Sequence, residues 1–274
     1  MTDNRLPTLT MVRCTVPPLL MEAAAKVAGR AKLSGAGAVQ FAKATCAALL
    51  GGLATVLGNQ VMVFQGVEPT NARMSLYETV SGTGTLVKQA AKDVGDKSVA
   101  FPRITKGMPP LAKRQQRLVA LRKFREGAAT VLVAPDIYSR GVDFRNCQAV
   151  VNLSIPMVFG SQDLDFVSFR HRCARTGRNG NKGVVFNVVT REEEASLVRL
   201  ISQERFNYRT DEVELDLVIA LKDAAKVGRY CDLATKEVPT EEEQAERAGI
   251  IMKWETRLIK GYGEVLKPFF KEKE

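Results

Sequence analysis

The stretch Thr130-Val-Leu-Val-Ala-Pro-Asp-Ile-Tyr-Ser-Arg-Gly-Val-Asp143 begins as a continuous apolar run and turns polar at residue 135. An apolar run without alternation is typical of a strand that is covered on both faces in a parallel sheet. The polar residues that follow at once mark the carboxyl end of this strand. Ligands of open α/β sheets bind outside such strand ends, so the stretch predicts both a fold and the place of a site.

Five further short runs rich in apolar and β-branched residues are strand candidates, at residues 9–16, 61–64, 98–101, 149–153 and 184–189. The segments between them are helical candidates, at residues 18–32, 38–57, 69–80, 84–94, 109–126 and 191–204. Alternation of strands and helices at this rhythm predicts an α/β protein. Its sheet is expected to be doubly wound and mainly parallel, with helices on both faces.

The pattern changes after residue 230, which predicts a domain at residues 1–230 and a C-terminal helical extension at residues 231–274. Thr240 and Glu243 form a capping-box pattern at the start of this extension. Apolar residues then recur every four positions, at Ile250, Trp254, Leu258, Tyr262 and Leu266. One apolar stripe on a helix of about 25 residues predicts a helix docked on the domain. The alternative is a helix that binds a partner, because the single tryptophan lies on the stripe.

The charge of the chain favours an anionic partner. Its 274 residues include 40 Lys and Arg against 30 Asp and Glu, a formal net charge of +10. Eight basic residues and no acidic residue lie between Arg103 and Arg125, and five lie between Arg170 and Lys182, again without an acidic residue. A basic surface also aids solubility, but two acid-free stretches flanking one candidate site fit contacts to phosphates better.

The cysteines and the apolar segments limit the cellular setting. The five cysteines are widely spaced and form no Cys-x-x-Cys pair, which argues against a zinc site or a disulfide framework and favours a reducing compartment. The first residues show no signal-peptide pattern. The most apolar segment, residues 44–58, is too short and too rich in Gly and Ala to cross a bilayer. We therefore expect a buried helix there, a soluble protein and no membrane partner.

The run His171-Arg-Cys-Ala-Arg-Thr-Gly-Arg178 places three arginines at spacing three beside the only histidine of the chain. Arginine stays protonated and presents a planar fork of donors, so such a cluster suits a polyphosphate whose negative charge grows during a reaction. The alternative for any arginine-rich octet is a solvated basic loop.

Together these stretches resemble the second lobe of the DEAD-box RNA helicases, which has a RecA-like fold. Residues 131–143 resemble motif V, V-L-V-A-T-D-x-x-A-R-G-x-D, and residues 171–178 resemble motif VI, H-R-I-G-R-T-G-R. Residues 106–127 resemble the segment H-G-x-M … R … F-R-x-G, and residues 179–183 continue the R-x-G-x-x-G tail of motif VI. Residues 61–64 lie where motif IV is expected. Order and spacing agree from about residue 60 to about residue 205.

The resemblance implies an ATP site. Arg175 and Arg178 would be arginine fingers that reach the γ-phosphate, and His171 would complete this catalytic set by contacting the carboxylate motif of the other lobe. Asp143 would accept a hydrogen bond from the ribose of ATP, and Gly141 would allow the backbone to approach the nucleotide. The remaining motif VI arginine would support the site.

The resemblance also implies RNA as a partner. Gly107, Arg117 and Arg140 would contact RNA phosphates through backbone and guanidinium groups, and such contacts carry no sequence code. Some positions depart from the family pattern. Pro135 replaces the motif V threonine and removes a hydroxyl and an N–H, Cys173 and Ala174 replace isoleucine and glycine in motif VI, and Arg114 stands where glutamine is usual.

No G-x-x-x-x-G-K-[ST] and no D-E-A-D run occurs in the sequence. The phosphate cradle and the Mg²⁺ site of the family lie on an N-terminal lobe, which is therefore an expected partner. We expect the chain to act as an ATPase and RNA helicase only with that lobe, and to be inactive alone. A protein activator is a further expected partner.

Within the family, residues 150–152, 157–165 and 183–187 are similar to the helicase of nuclear mRNA export. This likeness implies a cytoplasmic or nuclear protein, with association at the nuclear pore. Two alternatives remain open. One is a solitary, non-enzymatic lobe that binds RNA or protein in a larger assembly. The other is a DNA-directed helicase of the same superfamily.

Overall fold

A computed structural model describes ten ranges of the chain, residues 8–30, 34–57, 60–64, 98–100, 107–136, 144, 147–178, 181–203, 209–236 and 239–269. Two of the helices expected from the sequence, at residues 69–80 and 84–94, lie outside these ranges. Three of the predicted site residues also lie outside them, namely Arg140, Gly141 and Asp143.

The described strands form one sheet in which every pairing is parallel. They are β1 (Thr8–Thr15), β2 (Gln60–Phe64), β3 (Ser98–Ala100), β4 (Ala129–Ala134), β5 (Cys147–Asn152), β6 (Gly183–Val189) and β7 (Arg209–Glu214). Their order across the sheet is β3-β4-β2-β5-β6-β1-β7. The six strands expected from the sequence are confirmed, and β7 is an additional strand at one end.

Helices cover both faces of the sheet, which confirms the doubly wound α/β fold. They are α1 (Pro18–Arg30), α2 (Gly35–Val56), α3 (Pro110–Arg125), α4 (Phe166–Cys173), α5 (Glu194–Gln203), α6 (Ala224–Ala234) and α7 (Glu241–Leu266). One buried cluster joins the sheet to α1, α2, α6 and α7. A second cluster, on the opposite face, joins it to α3, α4 and α5.

The strand sequences explain these two layers. Successive side chains of a strand point to opposite faces, and in β2 the alternate residues Val61 and Val63 lie in the first cluster while Met62 and Phe64 lie in the second. All four are fully buried. Burying one such side chain stabilises the fold by about 1.5–3 kcal/mol, so a continuous apolar run is what a strand between two helical layers requires.

Helix α2 is the core helix of the first layer. By length and composition residues 35–55 could cross a membrane, but 78% of their most apolar window is buried inside the fold. The expected buried helix is thus observed. Its one buried charge, Lys43, donates to Glu193 Oε2 at 2.6 Å, and burial lowers the pKa of this ammonium group. Because Glu193 also accepts from the Thr190 N–H at the end of β6, the pair ties α2 to the start of the α5 segment.

Helix α7 docks on the first layer through the predicted stripe. The capping box is present, with the Thr240 hydroxyl accepting from the Glu243 N–H and Glu243 accepting in return. Trp254 and Leu258 are fully buried in the cluster that contains α2, and Tyr262 is partly buried against it. The boundary predicted after residue 230 falls within α6, and α7 shares its core with the residues before that boundary.

A carboxyl group is buried where α7 meets α2. The Glu255 side chain lies so close to Gly52 that a Cβ at this glycine would overlap the Glu255 carboxyl group. Oε2 is buried without a hydrogen-bond partner among the described residues. Burial raises the pKa of Glu255 from 4.5 to about 9, because a charged carboxylate is poorly solvated there.

This buried carboxyl predicts a pH-dependent stability. The folded chain keeps a proton on Glu255 that the unfolded chain releases, so the free energy of unfolding should fall as the pH rises from 4.5 towards 9. We expect Glu255→Gln to abolish a loss on the order of 6 kcal/mol across this range. Urea unfolding at a series of pH values measures it. Glu264→Gln, at an exposed position of the same helix, is the matched control. Parallel curves for the wild type and Glu255→Gln would contradict the prediction.

Candidate functional site

An ion pair with a fully buried arginine and a partly exposed aspartate joins the predicted motif V to the predicted motif VI. Arg172, near the end of α4, is completely buried and donates through Nε and Nη2 to the two carboxylate oxygens of Asp136. Asp136 lies two residues beyond the end of β4. The third donor, Nη1, binds the Ser154 carbonyl at 2.7 Å, just beyond the end of β5. One guanidinium therefore connects the carboxyl ends of β4 and β5 to α4.

The direction of the Arg172 side chain follows from helix geometry. Side chains of a helix lean towards its N-terminus, and α4 follows β5 and packs Phe169 and Cys173 against the sheet. An arginine in the last turn can therefore reach back to the strand ends. Its guanidinium carbon lies 5.8 Å from the centre of the Phe64 ring, at the end of β2. Three neighbouring strand ends thus surround this one cation.

Arg175 stabilises the end of α4. The last four carbonyls of a helix lack partners within the helix, and three of those in α4 accept from the backbone N–H groups of residues 174, 175 and 176. The fourth, the His171 carbonyl, accepts from Arg175 Nε at 3.1 Å. Arg175 is nearly buried, with 7% of its surface exposed. The position of this predicted arginine finger is therefore fixed by the helix end itself.

Arg178 is held in the same way, because its Nε donates to the Ala174 carbonyl at 2.7 Å. Between these arginines the chain turns sharply at Gly177, which has φ +64. A Cβ at Gly177 would be 2.5 Å from a methyl carbon of Leu9, and a Cβ at Gly183 would be 2.5 Å from the Gly177 nitrogen. Two glycines are therefore needed for this turn to pack against β1 and β6.

This packing fixes the place of the motif VI turn relative to the sheet. Leu9 and Gly183 lie at the amino ends of their strands, so the turn that carries Arg178 is not at the carboxyl edge. The pKa of Cys147, at the amino end of β5, is raised by burial to about 12, while Arg175 and Arg178 act to lower it. Both guanidinium groups thus act on a residue of the cluster that lies on the α4 side of the sheet.

His171, the third member of the predicted catalytic set, is half-buried in the last turn of α4. It directly precedes Arg172 of the ion pair, and its carbonyl accepts from Arg175 Nε. The predicted nucleotide residues Gly141 and Asp143 are outside the described residues. The structure therefore brings together three of the five residues expected at the ATP site.

The predicted RNA residues lie around α3. Gly107 is exposed with φ +82, three residues before the helix, and Arg117 is half-buried within it. Arg114, at the position where the family has glutamine, is exposed. Arg140 lies outside the described residues. Lys and Arg occupy the last turn of α3 as well, where cations stabilise the end of a helix, so α3 is basic along its whole length.

The departures from the motifs affect the local structure in different ways. Pro135 is buried directly after β4, where it offers no N–H to a ligand. Cys173 is fully buried against the sheet, so a small apolar side chain serves there. Ala174 directly follows the end of α4, and its carbonyl accepts a hydrogen bond from Arg178 Nε. The last two changes preserve the positions of the arginines.

The link between β5 and α4 is a compact hairpin. Met157 pairs with Leu164 in an antiparallel bridge, and the Val158 N–H donates to the Asp163 carbonyl at 2.9 Å. Phe159 at its tip is fully exposed. Asp165 then caps α4 by accepting from the Ser168 N–H at 2.8 Å.

Sequence reasoning missed two residues of the site. Asp136 belongs to the motif V stretch but was given no role, and the Ser154 carbonyl has no signal in the sequence. The signal for Asp136 was its position, a carboxylate directly after a buried strand, since a carboxylate there needs a cation nearby. Among the described residues no three His, Cys, Asp or Glu side chains come together to hold a metal ion.

The ion pair predicts a large effect of a single substitution. Asp136→Ala would leave the buried Arg172 charge without its partner, which typically destabilises a protein by about 3–5 kcal/mol. We expect a loss of this order in the free energy of unfolding, measured by urea denaturation. The double variant Asp136→Ala, Arg172→Met removes both charges and should recover part of the loss. The interpretation would be contradicted if the double variant lost as much free energy of unfolding as Asp136→Ala and Arg172→Met lose together as single variants.

The sequence matches known proteins over the region that carries these features. Residues 93–180 match the helicase conserved C-terminal domain. The DEAD-box ATP-dependent RNA helicase 38 of Oryza sativa subsp. japonica is 32% identical over 146 residues, which are 51% of this chain and 29% of that protein. The DEAD-box ATP-dependent RNA helicase CshA of Bacillus subtilis is 42% identical over 88 residues, 32% of this chain and 16% of that protein. The chain thus covers less than a third of either relative.

Similar solved structures include Dbp5 of S. cerevisiae bound to RNA and ADP BeF3, with a TM-score of 0.47, 19% identity and coverage of 86% of this chain and 46% of that one. The C-terminal domain of the DEAD-box protein Dbp5 has a TM-score of 0.43 and 18% identity, with coverage of 84% of this chain and 98% of that one. Residues 93–180 are thus similar to the helicase conserved C-terminal domain, and the relatives that share this similarity are named DEAD-box ATP-dependent RNA helicases.

Proposed function

We propose that this chain is the second lobe of a two-lobe ATP-dependent RNA helicase, to which it contributes arginine fingers for ATP hydrolysis and half of an RNA groove. The relatives are named as ATP-dependent RNA helicases, and the chain covers only part of them. ATP hydrolysis and RNA unwinding are therefore proposed for the protein made of both lobes. The chain alone is proposed to be inactive.

One observation carries this proposal: three motif VI arginines occupy fixed positions within seven residues. Arg172 is locked by Asp136, while Arg175 and Arg178 each use Nε to cap a carbonyl at the end of α4. Phosphoryl transfer depends mainly on positioning and on stabilising charge. Guanidinium groups that are already oriented need little further ordering when the phosphates arrive.

The same geometry fits the polyphosphate of ATP. The cations act over the α4 face of the sheet, so the N-terminal lobe would present the γ-phosphate to this face. Arg175 and Arg178 would stabilise the charge that develops there, with His171 nearby to contact the carboxylate motif of that lobe. Asp143 and Gly141 would hold the ribose side of the nucleotide. Mg²⁺ would be held by the N-terminal lobe, where ATP supplies the phosphoryl group that is transferred to water.

RNA would bind along the N-terminal half of α3. Gly107 is exposed there and has a positive φ. Arg114 and Arg117 add positive charge. Arg140 would contribute from the motif V loop. Contacts to phosphates do not read sequence, so binding should be sequence-independent and should weaken steeply with salt.

Pro135 favours a second candidate function, a solitary lobe that binds protein or RNA without hydrolysis. In the family pattern a threonine at this position offers a hydroxyl and an N–H, and Pro135 offers neither. The RNA half of the site is therefore more altered than the ATP half. The experiment on Pro135 below separates the two functions.

A narrower proposal is a role in nuclear mRNA export, with a cytoplasmic or nuclear location, association at the nuclear pore and a protein activator. It is supported by the likeness of residues 150–152, 157–165 and 183–187 to the export helicase. The structured hairpin at 157–164 gives the second of these segments a defined shape.

The arginine-finger proposal predicts the effect of two substitutions. In the protein that contains both lobes, Arg178→Ala and Arg175→Ala should each lower RNA-stimulated ATP hydrolysis by about 10³–10⁵-fold, the usual contribution of an arginine finger. Steady-state phosphate release measures this effect.

Arg199→Ala, at an exposed arginine of α5, is the matched control and should hydrolyse ATP at the wild-type rate. Circular dichroism and unfolding curves show whether the loss of a helix cap has changed the fold. Full turnover in a folded Arg178→Ala variant would eliminate the finger role.

Pro135→Thr tests the altered motif V. The new hydroxyl and N–H should strengthen binding of a labelled oligouridylate by about fivefold, the equivalent of one net hydrogen bond of about 1 kcal/mol. Fluorescence anisotropy at two salt concentrations measures the change. In the protein that contains both lobes, no RNA-stimulated ATP hydrolysis in either the wild type or Pro135→Thr, with unchanged RNA affinity, would favour the non-enzymatic candidate.

A further inference from the structure

A groove lies at the end of the sheet opposite to β3 and β4, between the edge strand β7 and helix α5. Its volume is about 240 Å³, enough for one or two side chains of a ligand. It is lined by Met11, Arg13, Leu197, Val198, Ile201, Glu212, Val213 and Glu214. None of the described motif residues lines it.

Strand register places two kinds of side chain on the groove floor. Met11 pairs with Glu212 and Arg13 pairs with Glu214 in the parallel ladder of β1 and β7. Paired residues point to the same face of a sheet, and Met11 lies in the cluster of the α5 layer. Both glutamates therefore point to the side of the sheet where α5 lies. The helix wall above them is aliphatic, and Val198 in this wall is 52% exposed.

The groove carries an unmatched negative charge in a protein that is positive overall. Arg13 Nη2 donates to Glu214 at 2.8 Å, which uses the one cation of the lining. Glu212 is exposed and forms no hydrogen bond or ion pair with another described residue. The pKa of Arg13 is raised mainly by its hydrogen bond to Glu214. The negative charges of Glu214, Glu194 and Glu212 raise this pKa further. The groove therefore attracts cations and repels phosphates.

The edge of β7 supplies a second means of binding. In the described part of the sheet β7 pairs only with β1, so its outer edge presents backbone N–H and C=O groups that a further strand can use. Peptides that add a strand to a sheet edge gain affinity from main-chain hydrogen bonds and specificity from pockets for alternate side chains. An open edge beside a groove is the arrangement that this mode of binding requires.

From these observations we propose that the groove binds an extended, basic segment of a partner protein, which adds to β7 as an eighth strand. One aliphatic side chain of the segment packs against Val198, Ile201 and Met11. A lysine or arginine two residues away, on the same face of the added strand, pairs with Glu212. RNA is disfavoured by the two floor carboxylates. The proposal does not depend on ATP hydrolysis or on RNA binding by the motifs.

The test uses the full chain and a fluorescently labelled peptide, Ser-Val-Thr-Lys-Thr-Val-Thr-Lys-Ser, in which valines and lysines share one face when the peptide is extended. Anisotropy should show saturable binding. Glu212→Lys and Val198→Asp should each weaken it by at least about tenfold, because one removes the charge partner and the other places a charge on the aliphatic wall.

Matched controls exclude general effects. Glu264→Lys reverses an exposed charge on α7, and Val218→Asp changes a valine that is 46% exposed elsewhere, so both variants should bind within about twofold of the wild type. A peptide with glutamate in place of both lysines should not bind. A peptide with proline in place of the central threonine should bind weakly, since proline removes a main-chain donor.

Amide chemical-shift changes locate the peptide. The proposal requires the largest changes in β7, in α5 and at residues 11–13. Absence of saturable binding, unchanged affinity in Glu212→Lys, or shifts confined to α3 and α4 would overturn it. Displacement of the peptide from the wild-type groove by oligouridylate would also overturn it, because this would show that the surface is a nucleic-acid site.

Discussion

The buried pair of Arg172 and Asp136 is the constraint on which the geometry of the candidate site depends. A guanidinium without access to water must have its charge matched and its donors used. Arg172 keeps its contacts with Asp136 and with the Ser154 carbonyl only if the ends of β4 and β5 stay in fixed positions relative to the last turn of α4. Motif V and motif VI are far apart in sequence, and this pair makes them a single structural unit.

A buried ion pair adds little net stability, because the cost of desolvating two charges offsets most of their attraction. Its effect here is on position. Since Arg172 cannot move without leaving a charge unpaired, the helix end that follows it is fixed as well. The two later arginines then complete that end by binding its carbonyls. Positive charge at the C-terminus of a helix is favourable without any ligand, so the cluster is stable without a bound anion.

The sequence predicted the layers of this fold well, because continuous apolar strands and amphipathic helices depend on local patterns. The register of β2, the buried α2 and the stripe from Ile250 to Leu266 all follow from such patterns. It failed where structure depends on distant partners. β7 reads Arg-Thr-Asp-Glu-Val-Glu, a polar edge strand whose only apolar residue, Val213, packs against the first cluster, and no periodicity marks it. α4 is short and rich in arginine, so its sequence resembles a loop.

The site shows the same division. Residue types and spacing identified the arginines, but not their neighbours, because the Ser154 carbonyl and the packing of Gly177 on Leu9 exist only after the chain has folded. Ligand sites of open α/β sheets lie at the carboxyl ends of the strands. Here α4 carries the chain back towards the amino ends of the strands. The long Arg172 side chain, in the last turn of α4, reaches the carboxyl ends of β4 and β5.

The average charge of the chain conceals two opposite surfaces. The formal charge of +10 comes from stretches such as α3 and the end of α4, and both lie on one layer of the sheet. The same layer ends at β7 in a groove whose floor has two carboxylates and one guanidinium. Because interactions between exposed charges fade within about 10 Å at moderate salt, a ligand at either surface responds to the local sign. A polyanion is therefore drawn towards α3 and α4, and the far end of the sheet remains open to a cationic partner at the same time.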